Sequence, residues 1–140
     1  MGGDHIVMTV TSTRHMFDAD SFLLHAQRKW PGCRVFRYDS ENRTSDAAVN
    51  VRPVGGVPFN VIHYPGDDMV STDAEDGTAA EIAAWVRSLH PDPDLILWYI
   101  DDSFAGHVDL FPGISAEQVH DNWVDHREHD PYAEYPGYFE

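Results

Sequence analysis

The chain has 140 residues, 24 carboxylates, 9 Lys and Arg side chains and a formal net charge of −15. That balance disfavours nucleic acid as a direct ligand, because phosphate binding needs a basic surface. Its 42% hydrophobic and 12% aromatic residues are too many for a disordered acidic chain, and its longest apolar run, residues 95–100, is far short of a membrane span.

The length predicts one domain with a single core. One cysteine, Cys33, excludes an internal disulfide and a multi-thiolate zinc site within one chain. No basic segment leads into an apolar stretch at the start, so no signal peptide is expected and the cytoplasm is the expected compartment.

Residues 5–13 hold Ile6, Val7, Val10 and three threonines and read as a strand. A helix is predicted over residues 18–29, with Asp18 as N-cap and Phe17 and Phe22 as a hydrophobic staple. Phe22, Leu23, Ala26 and Trp30 share one side of it, and Pro31-Gly32 ends it. Strands follow at residues 34–38, 47–51 and 59–64, with a short fourth at 69–72. The polar turn 39–46, the bend 54–58 and the turn 65–68 join them, so these strands form antiparallel hairpins.

The second helix shows a capping-box pattern at Thr78 and Glu81 and an apolar stripe of Ile82, Trp85, Val86 and Leu89. Residues 90–93 stop it. Residues 95–100 make the most apolar strand, expected to be central and buried on both faces. After the loop 101–105, residues 106–111 return with Val108 and Leu110 on one side. Ser115 and Gln118 form another capping box, Ile114 and Val119 a staple, and Val119, Trp123 and Val124 bury a third helix.

The order β-α-β-β-β-(β)-α-β-β-α predicts an α+β fold. It has a single antiparallel, or mixed, sheet of about six or seven strands and three helices, mainly on one face. Residues 1–130 form one domain, and residues 131–140 form an irregular tail rich in Pro and Tyr.

Charge is unevenly spread. Residues 61–140 carry eighteen carboxylates against Arg87 and Arg127, a net −16, whereas residues 1–60 carry +1. Self-repulsion of that size serves solubility or a positively charged partner. The candidate partner-binding residues are Asp67, Asp68, Asp73, Glu75, Asp92, Asp94, Asp101, Asp102, Asp121, Asp125 and Glu128. Tyr132 and Tyr135 join them as aromatic anchors rimmed by charge. The competing reading is an acidic surface that serves solubility or a salt-rich habitat.

Nine histidines invite a metal reading, and His126 and His129 are its candidates, three apart on the third helix. They lack the H-E-x-x-H pattern, and a solvated helix end explains them better. No metal or other cofactor is expected. Asp102 and His107 suggest an acid–base dyad, but Ser103 has no nucleophile elbow and Cys33 no visible partner. A hairpin loop whose aspartates cap turn amides is the better reading. Trp85, Trp98 and Trp123 are expected in the core. No enzyme activity is expected.

The stretches 76–87 (DGTAAEIAAWVR) and 104–115 (FAGHVDLFPGIS) resemble small actinobacterial-type α+β proteins, which in turn resemble the immunity proteins encoded beside secreted polymorphic toxins. The element order also resembles the type III secretion chaperone-like fold, from which the strand at 5–13 departs. The first resemblance implies a cytoplasmic protein that blocks a toxin by laying an acidic face over its basic active-site cleft. Alternatives are a secretion-chaperone-like module, or a DNA mimic that occupies a nucleic-acid-binding protein. None of these involves direct nucleic acid or membrane contact.

Overall fold

A computed structural model describes residues 4–10, 16–38, 44–90 and 92–135. The chain folds as α+β around one open antiparallel sheet. The elements are β1 (His5–Thr9), α1 (Ala19–Lys29), β2 (Arg34–Arg37), β3 (Ala47–Val51), β4 (Phe59–His63), β5 (Met69–Thr72), α2 (Asp76–Leu89), β6 (Leu97–Asp101), β7 (Gly106–Leu110), α3 (Ala116–Asp121), β8 (Val124–Asp125) and α4 (Pro131–Glu134). The described residues thus hold eight strands and four helices, rather than six or seven and three.

The sheet order is β2-β3-β4-β5-β1-β6-β7-β8. The first strand is therefore not an addition at the margin but the seam between two meanders. It pairs with β5 on one side and β6 on the other, both antiparallel. The part of the expected first strand at 11–13 lies outside the described residues.

Alternation of side chains across the pleat divides the core. Val7, Val70, Tyr99 and Val108 stand in one cross-strand row on the helix-covered face. Phe22 and Ala26 of α1 and Ile82, Ala83 and Val86 of α2 close over that face, joined by Ile114 and Val119. Each large side chain so buried contributes about 1.5–3 kcal/mol. Trp98, Ile100 and Val10 form a second cluster on the opposite face, against which Phe104 and Tyr135 pack.

Local signals set several helix ends. The Asp18 carboxylate accepts from the Ser21 amide at 2.8 Å, and the Phe17 and Phe22 rings stack 6.1 Å apart. At α3, Ser115 and Gln118 exchange both capping-box bonds, at 3.0 and 3.2 Å. The pattern at Thr78 and Glu81 does not start α2. The helix begins at Asp76 with Glu75 as N-cap, because the Thr72 hydroxyl already turns the chain by accepting from the Ala74 amide at 3.1 Å.

The third helix is shorter than its apolar spacing predicts. It ends at Asp121, and Val124 leaves it to pair as β8 with His107. Trp123 is 39% exposed instead of lying in the core. Its indole lies against Gly106, where an added Cβ would overlap it. The described part of the tail is not irregular. Asp130 caps α4 by accepting from the Tyr132 amide at 3.0 Å, and Pro131 is buried. No helix among the described residues is long and apolar enough to cross a membrane.

Candidate functional site

The register of β1 creates the site. His5 stands opposite Thr72 on β5 and Asp101 on β6. Its neighbours at that end of the sheet are the N-terminus of α2 and the 101–105 loop. The His5 Nε2 lies 3.2 Å from the Asp76 carboxylate, and its ring stacks on Tyr99 at 5.5 Å and 4°. Tyr99 meets Trp123 nearly at right angles, with centroids 6.4 Å apart. These rings floor and wall a cleft of about 490 Å³.

The rim is acidic. Asp76, Asp101 and Asp102 line the cleft together with His120, and neither Arg nor Lys does so among the described residues. Asp101 is partly committed to its loop, accepting from the Ala105 amide at 2.8 Å and the Ser103 hydroxyl at 3.2 Å. Burial, and then the charges of Asp76 and Asp101, push the Tyr99 hydroxyl above its ordinary range, so it stays protonated. The His5 Nδ1 is buried without a hydrogen-bond partner.

The candidate acids fall into separate groups. Asp73 and Glu75 share the cleft's end of the sheet, but Asp73 accepts from the Asn60 amide at 2.7 Å and the Asn60 side chain at 3.0 Å. Glu75 caps α2. Asp121, beside the cleft, lies 3.2 Å from the His120 Nδ1. Asp67, Asp68, Asp92 and Asp94 lie at the opposite end of the sheet. There the Thr9 amide donates to the Asp68 carbonyl, and Asp92 accepts from the Asp94 amide at 2.9 Å. Asp125 pairs with Arg127 at 2.7 Å, which holds its carboxyl down at about 2, and Glu128 is exposed nearby. Tyr132 is 64% exposed, whereas Tyr135 packs edge-on against Trp98 at 5.0 Å.

His126 and His129 do not share a helix face. Both follow β8, and each finds a different partner. His126 Nε2 meets His107 Nδ1 at 2.8 Å, and its Nδ1 donates to the Phe104 carbonyl at 2.7 Å. His129 lies 3.2 Å from Glu134. His107 is therefore turned to the face away from the cleft, and the Asp102–His107 dyad does not form.

Among the described residues, Asp46, His63 and Asp67 are the group with ligand atoms within 4.8 Å of one another. His63 is fully buried and already spans two oxygens, Asp46 at 2.6 Å and the Phe17 carbonyl at 2.7 Å. The ring thereby ties β4 to the segments entering α1 and β3, a bracing role.

Sequence reasoning missed His5, Tyr99 and Trp123 as site residues. Their signal was present in part: Trp123 stands within an acidic stretch. The pairing of His5 with Asp76 depends on where β1 inserts, which no local pattern reports. Comparison with family models, curated proteins and solved structures returned no match.

Proposed function

We propose that this protein is a non-enzymatic acidic binder of the immunity type, acting in the cytoplasm to neutralise a toxin domain by occluding its basic active-site cleft. The observation that carries the reading is the acid-rimmed, aromatic-walled cleft of His5, Asp76, Tyr99, Asp101, Asp102 and Trp123. Carboxylates on a rim steer a cationic partner and raise its association rate. Aromatic walls then give the bound cation a desolvated seat, and cation–π contact contributes about 0.5–2 kcal/mol. Two of the candidate acids, Asp101 and Asp102, lie on this cleft, and Asp121 flanks it.

The test begins with affinity capture from the protein's own host at near-physiological salt, followed by purification of the captured protein. Co-expression of a toxic partner with the wild-type chain is expected to restore growth. Asp76→Lys combined with Asp102→Lys is expected to weaken the purified complex by at least about 30-fold, the lower range for disrupting close interfacial charges. Unchanged affinity in a folded double variant would overturn the cleft reading. A tight partner that does not impair growth would overturn the immunity role.

A further inference from the structure

We infer that the cleft seats the guanidinium of an arginine side chain, stacked on its aromatic walls and paired with the rim carboxylates of Asp76 and Asp102. The inference rests on the cleft being the cation-binding part of the partner surface, and it names the group recognised.

The walls are flat and fixed. His5 lies parallel to Tyr99 within 4°, and Trp123 stands at 77° to Tyr99, so two aromatic planes form a corner. Tyr99 is 6% exposed and cannot swing away. Trp123 is held close against the bare backbone of Gly106. A planar cation can stack in such a corner and still turn its N–H edge to acceptors. A compact ammonium holds its water more strongly and matches no plane.

The acceptors are present and oriented. Asp76 uses one oxygen toward His5, leaving the other on the rim. Among the described residues the exposed carboxylate of Asp102 is engaged in no hydrogen bond, whereas Asp101 is partly spent on its loop. A fork of five donors suits carboxylates on two sides of one cleft. Among the described residues neither Arg nor Lys lines the cleft, so no fixed positive charge competes.

The experiment follows the indole N–H of Trp123 by heteronuclear NMR on the full chain, assigned by its loss in Trp123→Phe. Three probes are titrated at low salt: acetyl-arginine methylamide, the lysine analogue, and the uncharged citrulline analogue. Concentrations reach roughly 50 mM, because an isolated side chain binds only in the millimolar range. The expected result is a saturable shift with arginine, at least about threefold weaker binding of lysine, and none of citrulline. Asp102→Asn should weaken arginine binding by about threefold or more. No saturable shift, equal binding of lysine, or equal binding of citrulline would each overturn the inference. If arginine fails but cleft charge reversal still abolishes the partner complex, the proposed function stands alone. If arginine binds and charge reversal leaves that complex intact, the pocket stands and the occlusion reading falls.

Discussion

His107 shows what one buried side chain can impose. It is 1% exposed, stacked 3.8 Å from Trp98, and joined to His126 at 2.8 Å. With both rings neutral, His126 directs its Nδ1–H to the Phe104 carbonyl and accepts at Nε2, so His107 donates from Nδ1. The His107 Nε2 is then a buried lone pair with no partner among the described residues. A second proton there has nowhere to go. Burial first, and then the neighbouring His126, lower this ring from 6.5 to about 4; Glu134 opposes the shift and His129 adds to it. Between those pH values the unfolded chain binds the extra proton and the folded chain does not. Stability contributed by the neutral ring is therefore intact above pH 6.5 and declines as pH falls toward 4. The shift corresponds to at most about 3 kcal/mol. His107→Phe keeps a ring on Trp98 and removes the titration. Urea unfolding at successive pH values is expected to show the gap between wild type and variant moving by about 2–3 kcal/mol over this interval. A constant gap would mean that His107 takes up its proton freely in the fold.

At the scale of elements, α2 and β6 are joined by a buried cation. Arg87, in the last turn of α2, is 1% exposed. Its guanidinium donates to the Leu95 carbonyl at 2.7 Å and the Asp92 carbonyl at 2.8 Å. These bonds fix the loop between helix and strand, and a cation at a helix C-terminus also opposes the helix dipole. Arg87→Met keeps an unbranched stem in the core but donates nothing. It is expected to destabilise the fold by about 2–3 kcal/mol, through two lost charge-assisted bonds set against relief of charge burial. Amide exchange should quicken across residues 92–95. A variant as stable as wild type would show that burying the charge costs as much as the bonds return.

The same elements mark what was legible in the sequence. The caps of α1 and α3 were readable because Asp18, Ser115 and Gln118 act on amides within three residues. The α+β class and the hairpins were readable because short turns force adjacent antiparallel strands. The insertion of β1 between β5 and β6 was not, since it pairs residues more than sixty positions apart. The cleft depends on that insertion, so Asp101 and Asp102 were legible as acids and His5, Tyr99 and Trp123 were not legible as their companions. Trp123 misled the reading because its spacing from Val119 continues a helix that the chain abandons at Asp121.

At the scale of the molecule, charge separates in space as well as in sequence among the described residues. Arg28 and Lys29 end α1, Arg34 and Arg37 lie on β2, and Arg52 follows β3, so these bases gather at the β2 side of the sheet. Arg87 is buried and Arg127 is paired with Asp125. Among the described residues the rest of the surface is dominated by carboxylates whose mutual repulsion opposes compaction. Exposed ion pairs such as Arg37–Asp20, at 3.4 Å, contribute only about 0–1 kcal/mol each. Repulsion from a net charge of −15 therefore outweighs attraction from those pairs at neutral pH. Sodium chloride screens both, and at roughly 0.5 M the screening length falls to about 4 Å. The net effect should be stabilising: urea unfolding at pH 7 is expected to gain about 1–2 kcal/mol between roughly 0.01 and 0.5 M salt. Near the isoelectric point of about 4.7 the net repulsion vanishes, and the salt gain should vanish with it. Salt destabilisation at pH 7 would instead mean that attractive pairs across the molecule outweigh its excess negative charge.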